Sequence, residues 1–159
     1  PHAKKTCHNE ERRAHMKRAM VLFCVFCLTS IAPSPVKADD NVKDGVFVHI
    51  SHGSDDPHRL LMALNMAKIM ADDHDVLVYL DIKGVDAVLK DSPDINYSHF
   101  PSSRTQLSAL LKEGVTLMVC PGCLKAAGKS KEDVADGIQI ADKKAFFDFT
   151  KGRILTLDY

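Results

Sequence analysis

The sequence predicts an α/β fold with a mostly parallel sheet covered by helices on both faces. Three short apolar segments, at residues 45–51, 75–81 and 115–120, are typical of buried strands. Helical patterns separate these segments, and strands joined through helices pair in parallel. Strands of a parallel sheet are buried on both faces, so their sequences are continuously apolar rather than alternating. These three segments show that continuous pattern.

The first half of the predicted domain contains two strand–helix units. Residues 45–51, GVFVHIS, form the first strand, and Pro57 after a polar loop suits the first turn of a helix. Apolar residues recur at helical spacing from there to about Asp72. The second strand, DVLVYLD at 75–81, is followed by a short helix at 85–89.

The second half continues the alternation. After a loop, Ser102 or Ser103 can cap a helix that runs through Gly114. The third strand then ends at Cys120. The remaining elements are a helix at 123–127 that stops at Gly128, a short strand at 138–140, a helix at 142–150 and a final strand at 153–157.

The amino-terminal segment has the features of a secretory signal. Residues 1–15 precede the first methionine and are interpreted as an upstream extension or fragment. From residue 16 a positively charged stretch is followed by an apolar one, and small residues around Ala38 suit a signal peptidase. The apolar stretch is too short, and too interrupted by proline, to span a bilayer as one helix. A cleaved signal is therefore favoured over an uncleaved anchor.

We accordingly expect a signal peptide at 16–38 and one domain at 39–159, located in the periplasm or secreted. This domain carries 14 Lys and Arg against 19 Asp and Glu, a net charge of −5, although the whole chain sums to zero. An acidic body without a basic cluster argues against nucleic acid as a partner, and against membrane binding after cleavage. A chain of 121 residues can still bury a single compact core.

Two cysteines remain in the predicted mature domain, Cys120 and Cys123, and they are the candidate catalytic residues. Cys120 ends a strand and precedes a helix, where free backbone N–H groups favour a thiolate. A disulfide between the two would close almost no loop, so a purely structural bridge is disfavoured. The C-x-x-C spacing is compatible with a redox pair, a sulfur carrier or half of a zinc site.

The loop after the first strand supplies the candidate binding residues, His52, Gly53, Asp55 and Asp56. In an open parallel sheet, ligand sites form beyond the carboxyl ends of the strands. If the first and third strands are neighbours, this loop and its His58 could face the cysteines.

A Cys₂His₂ zinc site, made from His49, His52 and the two cysteines, is the alternative interpretation. His49 lies inside a strand, on the same face as Phe47 and Ser51, and we expect it to be a packed core histidine. We therefore expect no metal and no cofactor. A thioredoxin fold is also disfavoured, because the C-x-x-C lies in the second half of the domain and no proline follows it.

The sequence resembles the DsrE/DsrF-like family of sulfur-relay proteins over essentially the whole predicted mature chain. The most specific segments are H-G-x-D-D-P at 52–57 and C-x-x-C-L-K-A-x-G at 120–128. The resemblance implies a three-layer α/β/α sandwich around a five-stranded sheet, assembly as a trimer or hexamer, and a persulfide on the cysteine that ends a strand. Cys120 matches that cysteine by its spacing to Gly128. Cys123 is additional to the single-cysteine relay members, and the predicted export is a second departure.

The resemblance implies a sulfur-handling protein that accepts or transfers sulfane sulfur as a persulfide on Cys120, with Cys123 resolving or assisting. This is a sulfurtransferase-like carrier, and whether it turns over as an enzyme stays open. Its partners would be small sulfur species or a sulfur-carrier protein, and further copies of itself, for which Tyr97 and Phe100 offer apolar surface. Two alternatives stay open: a non-catalytic binding or assembly module with an inert Cys120–Cys123 disulfide, and a dithiol oxidoreductase.

Overall fold

In this computed structural model residues 42–159 are described, and they form a five-stranded, all-parallel sheet with helices on both faces. The predicted α/β sandwich is thereby confirmed. The segments 1–15 and 16–38 lie outside the described residues, so the signal peptide and the export stay predictions. Within the described part of the chain, no helix combines the length and the apolar character needed to cross a membrane.

The elements alternate along the chain as predicted. The strands are β1 Gly45–Ile50, β2 Asp75–Leu80, β3 Thr116–Val119, β4 Gln139–Ile140 and β5 Ile154–Asp158. The α-helices are α1 Pro57–Ala71, α2 Ser103–Lys112, α3 Pro121–Ala126 and α4 Lys143–Phe149, with 3₁₀ helices at Gly84–Val88 and Lys131–Asp133.

Two elements differ from their predicted form. α3 begins at Pro121 rather than at residue 123, because the Cys120 side chain caps the helix and Pro121 occupies its first turn. The short helix predicted at 85–89 is the 3₁₀ helix Gly84–Val88. Helical segments this short often adopt the 3₁₀ form, with hydrogen bonds between residues three apart.

The strand order is β4-β3-β2-β1-β5, which places β2 between β1 and β3. The first and third strands are therefore not neighbours, and the condition set for the first-strand loop to face the cysteines is not met. The register instead aligns His49 of β1 with Tyr79 of β2 and with Asp158 of β5, while Tyr79 also aligns with Met118 of β3. These pairings decide which side chains meet at the carboxyl edge.

One face of the sheet carries the main hydrophobic core. Along β1, Val46, Val48 and Ile50 point to this face and are buried. They belong to one cluster with leucines of α1 and α2, of which Leu64 and Leu110 are fully inaccessible. Each such side chain stabilises the fold by about 1.5–3 kcal/mol on burial. Packing on this face holds in place the strands whose carboxyl ends carry the candidate site.

The opposite face is covered by α4 and is less deeply buried. Phe47 of β1 and Tyr79 of β2 stack with ring centroids 6.1 Å apart, and Phe146 of α4 meets Tyr79 edge-on at 5.1 Å. Stacked and edge-to-face pairs are the favoured arrangements of aromatic rings. They hold the Tyr79 ring in place while its side chain stays only half-buried.

The loop that follows β2 packs tightly on the end of β1. The N–H groups of Lys83 and Gly84 both donate to the carbonyl of Ser51, at 3.1 and 3.2 Å. A Cβ atom on Gly84 would lie 2.3 Å from the carbonyl oxygen of Ile50, which is backbone and cannot move aside. Only glycine allows this approach.

We predict that Gly84→Ala lowers the free energy of unfolding by about 2–4 kcal/mol, because the new methyl group collides with the Ile50 carbonyl. The matched control is Gly122→Ala, whose Cβ would meet only the Cys120 sulfur at an ordinary 3.8 Å. Urea denaturation of both variants measures the difference. Equal stabilities would contradict the tight packing of this loop.

Candidate thiol site

Cys120 lies at the junction between β3 and α3 and is half-buried with a free thiol. Its sulfur accepts a hydrogen bond from the N–H of Cys123 at 3.4 Å, which is the helix-capping contact. The N–H of Gly122 also acts to lower the pKa of this thiol. The predicted surroundings of a thiolate, free N–H groups at a strand-to-helix junction, are therefore present.

Tyr79 of β2 supplies a further donor that the sequence analysis did not consider. Hydrogen bonding from its hydroxyl group acts to lower the pKa of the Cys120 thiol. Burial is the largest single influence on Cys120 and opposes its ionisation, but the hydrogen bonds from Tyr79 and from the N–H groups of Cys123 and Gly122 outweigh it. The pKa of Cys120 is thereby lowered, whereas burial and the Cys120 contact raise the pKa of Tyr79. Tyr79 thus stays protonated and remains a donor.

Cys123 has the opposite electrostatic environment, although it is only three residues away. The N–H of Ile82 is the strongest single influence and favours the thiolate of Cys123. Burial, the Cys120 sulfur and the Asp81 carboxylate together outweigh this contact and raise the pKa of Cys123. The two thiols are therefore unequal: Cys120 ionises first and is the better nucleophile near neutral pH, while Cys123 is held as a thiol.

Ile82, whose N–H acts to lower the pKa of Cys123, has an unusual backbone conformation. Ile82 has a φ angle of 45°, in the left-handed region that β-branched residues rarely adopt. Such a conformation costs about 1–3 kcal/mol and persists only where the surroundings enforce it. The hydrogen bonds of Asp81 to Ile50 at 3.1 Å and of Lys83 to Ser51 at 3.1 Å hold the residues on either side. Strain of this kind is common at functional sites.

His49 does not occupy the core, and the expectation of a packed core histidine is wrong. Its Nε2 lies 2.8 Å from Asp81 Oδ1, and its Nδ1 lies 2.5 Å from Asp158 Oδ1. The imidazole ring stacks on Tyr79 with centroids 5.9 Å apart, and the side chain is 26% exposed. The alternation of side chains along β1 correctly predicted the face of the sheet on which His49 lies. Because that face is only thinly covered, two carboxylates from neighbouring strand ends reach the imidazole ring.

The Asp81 and Asp158 carboxylates stabilise the charged form of His49. Burial is the largest influence and opposes the charge, but the hydrogen bonds and charges of the two aspartates prevail and raise the pKa of His49 above 6.5. An imidazolium donates from both ring nitrogens, which matches two carboxylate contacts. A chain of three side chains, Asp158–His49–Asp81, thus runs from β5 across β1 to the loop after β2.

The loop after β1 buttresses the loop after β2. Within this loop, the N–H of Gly53 donates to Asp55 Oδ1 at 2.8 Å, and His52 Nδ1 lies 3.0 Å from Ser51 Oγ. At the end of the loop, Asp56 caps α1 by accepting a hydrogen bond from the N–H of Arg59 at 3.2 Å. A Cβ on Gly53 would lie 2.6 Å from the carbonyl of Lys83.

The carboxylates of Asp55 and Asp56 thus accept hydrogen bonds from the backbone of the loop and of the start of α1. The binding role of His52, Gly53, Asp55 and Asp56 stays a prediction. His58, at the start of α1, stacks on Tyr97 with ring centroids 5.0 Å apart.

The residues that contact the thiols come from β2 and its loop, where the sequence analysis considered only the loops after the first and third strands. The rule that sites form at carboxyl strand ends applied equally to Tyr79 and Asp81. Their alternation, with Tyr79 and Asp81 on one face of the segment, was the signal that could have found them. Among residues 42–159, no group of three or more His, Cys, Asp or Glu is arranged to hold a metal ion.

Comparison with known proteins gives a family match over most of the chain. The model of the DsrE/DsrF-like family matches residues 44–155, which include both cysteines, His49 and Asp81 but not Asp158. No curated protein matches the sequence.

Two solved structures share the fold. One is a protein of unknown function, MTH1491, from Methanobacterium thermoautotrophicum, with 20% sequence identity and a TM-score of 0.54. The other is the ychN protein from E. coli, with 18% identity and a TM-score of 0.54. Each comparison covers 73% of this chain and 100% of the other. At these identities the similarity concerns the fold.

We predict that Tyr79→Phe slows the alkylation of Cys120 at pH 7 by about fivefold, because loss of a hydrogen bond worth about 1 kcal/mol lowers the thiolate fraction. Iodoacetamide labelling of the full chain, followed by peptide mass spectrometry, reads each cysteine separately. Tyr97→Phe is the matched control, since it removes a hydroxyl group from the loop before α2. An unchanged rate in Tyr79→Phe would exclude the hydroxyl as a donor to Cys120.

Proposed function

Because this chain belongs to the DsrE/DsrF-like family, we propose that it carries sulfane sulfur as a persulfide on Cys120. The family indicates a role related to sulfur metabolism. The observation that carries the finer proposal is the inequality of the two thiols. The Cys120 sulfur accepts a hydrogen bond from the N–H of Cys123, and this bond and the Tyr79 hydroxyl lower its pKa, whereas burial, the Cys120 sulfur and the Asp81 carboxylate together raise the pKa of Cys123.

The loading step needs one nucleophile and a donor that already holds sulfane sulfur. The Cys120 thiolate attacks the outer sulfur of a donor persulfide, R–S–SH, and displaces R–S⁻, which leaves Cys120–S–SH. No net oxidation takes place, because the sulfur is transferred in its existing oxidation state.

Two fates are open to the loaded sulfur. An acceptor thiolate can take the outer sulfur, which regenerates the Cys120 thiolate. Alternatively, Cys123 attacks the inner sulfur, forms the Cys120–Cys123 disulfide and releases the outer sulfur as sulfide, which takes up the proton from Cys123. In the second case the two cysteines are oxidised as the sulfane sulfur is reduced, and a dithiol reductant must reopen the bridge. The high pKa of Cys123 slows this second route and favours transfer.

We predict that Cys120→Ser abolishes persulfide formation and that Cys123→Ser retains it with a longer lifetime. Treatment of the full chain with polysulfide, followed by peptide mass spectrometry, detects each added sulfur as a step of about 32 Da on the modified cysteine. Cys120 should carry the added mass in the wild type. The expected loss in Cys120→Ser is complete, because a serine hydroxyl is not a thiolate at neutral pH.

The cysteines of residues 1–38 serve as internal controls for non-specific sulfur uptake, because peptide analysis separates them from Cys120 and Cys123. Loading in Cys120→Ser but not in Cys123→Ser would reverse the assigned roles. A wild-type disulfide that persists under reducing conditions, with no effect of either substitution, would favour a binding module instead.

We also propose that the protein self-associates. Tyr97 is 45% exposed, and the His58 ring that stacks on it at 5.0 Å restrains the aromatic side chain. Phe100 lies beside the same histidine at 5.8 Å and is half-buried. A restrained aromatic side chain loses little entropy on association, and such residues dominate the energetics of interfaces. A second copy of the chain is the proposed occupant of this surface.

Light scattering should give a mass above that of the monomer at micromolar concentration, and Tyr97→Ser should shift the protein towards monomer. Phe147→Ser is the matched control, because Phe147 is even more exposed, at 65%, but lies on α4. A monomeric wild type would refute self-association. Dissociation by Phe147→Ser alone would instead assign the contact to α4.

A further inference from the structure

In the persulfide chemistry described above, Asp81 enters only through its charge near Cys123, and His49 and Asp158 have no role. The members of this chain come from three different elements: Asp158 from the end of β5, His49 from β1 and Asp81 from the residue after β2. Asp81 is the more sheltered carboxylate, 19% exposed, whereas Asp158 is 74% exposed. His49 lies 2.8 Å from Asp81 and 2.5 Å from Asp158, and these two contacts fix the three side chains relative to one another.

This geometry connects directly to the thiols. Asp81 follows Leu80, whose carbonyl accepts the N–H of Cys120 at 2.9 Å, so Asp81 lies beside the strand-to-helix junction that carries both cysteines. The Asp81 carboxylate also contributes to the raised pKa of Cys123. The charged and titratable groups around His49 are the two aspartates, the Tyr79 ring stacked on it, and, beyond them, the two cysteines. Held by His49, the carboxylate of Asp81 cannot rotate away from this position without losing its ionic partner.

We propose that the Asp158–His49–Asp81 chain is a positioning unit that holds a carboxylate beside Cys123 and so gives Cys120 the first reaction with a sulfur donor. Asp81 supplies a negative charge that disfavours a second anion beside it. His49 fixes the direction of that carboxylate and partly compensates its charge. Asp158 holds the other side of the imidazole and ties the unit to the edge of the sheet. This inference rests on the proposed function, because a waiting thiol matters only if Cys120 becomes loaded.

The two inner members of the unit should act on Cys123 with opposite sign. Removing the Asp81 charge favours the Cys123 thiolate, whereas removing the His49 imidazolium leaves Asp81 uncompensated and disfavours it. The His49 effect exists only while the imidazole is protonated, so it is present at low pH and disappears as the pH rises through the raised pKa of His49. A purely structural role would loosen the loop in both variants and shift Cys123 in the same direction.

The test is the rate of iodoacetamide alkylation of Cys123 in the reduced full chain, measured by peptide mass spectrometry from pH 5.5 to 10. Asp81→Asn should accelerate Cys123 at pH 7.5 by roughly threefold to tenfold, and Asp81→Glu should retain a rate close to that of the wild type. His49→Gln should slow Cys123 at pH 6, and its rate should converge on the wild type at high pH. Asp73→Asn and His74→Gln are matched controls, because this aspartate–histidine pair, 2.5 Å apart, precedes β2 at its opposite end.

A shift of Cys123 in the same direction in Asp81→Asn and His49→Gln would overturn the proposal, as would unchanged profiles in both variants. The alkylation assay contains no sulfur donor, so it is independent of the persulfide experiment. Loss of loading on Cys120 with the predicted Cys123 profiles would count against the proposed function alone. Normal loading with unchanged profiles would count against the positioning unit alone.

Discussion

The placement of β2 between β1 and β3 is the constraint on which the thiol site depends. Parallel pairing brings the carboxyl ends of the three strands to one edge of the sheet, where side chains of adjacent strands meet. Tyr79 and Asp81 therefore stand between His49 and the cysteines. With another strand order, the carboxylate–imidazole chain and the thiol pair would be separate features.

The two cysteines carry chemically identical thiols, but their different surroundings shift their pKa values in opposite directions. Cys120 receives donors from its own helix start and from Tyr79, so its negative charge is solvated by fixed dipoles. The N–H of Ile82 acts to lower the pKa of Cys123, but burial, the neighbouring sulfur and the charge of Asp81 together outweigh it. The same surroundings thus produce a nucleophile and a reserve thiol, and the proposed sulfur carriage depends on this division of roles.

The glycine-containing loop after β1 contributes to this arrangement indirectly. Gly53 and Gly84 each allow backbone to approach backbone where a Cβ would fall within 3 Å of a carbonyl oxygen. The resulting contacts fix the loop that presents Ile82 to Cys123. The segment H-G-x-D-D-P, first considered as a ligand loop, is thereby a structural support for the thiol site as well as a candidate for binding.

The sequence by itself determined the class of fold, the order of its elements and the junction at which Cys120 lies, because apolar runs, caps and C-x-x-C spacing are local properties. Only the tertiary structure decided the strand order, and with it the contacts of both cysteines with Tyr79, Asp81 and Ile82. Periodicity gives the face on which a side chain lies but not the depth of what covers that face. His49 is the clearest case: alternation placed it on the correct face, and the thin cover of α4 left it free to bridge two carboxylates.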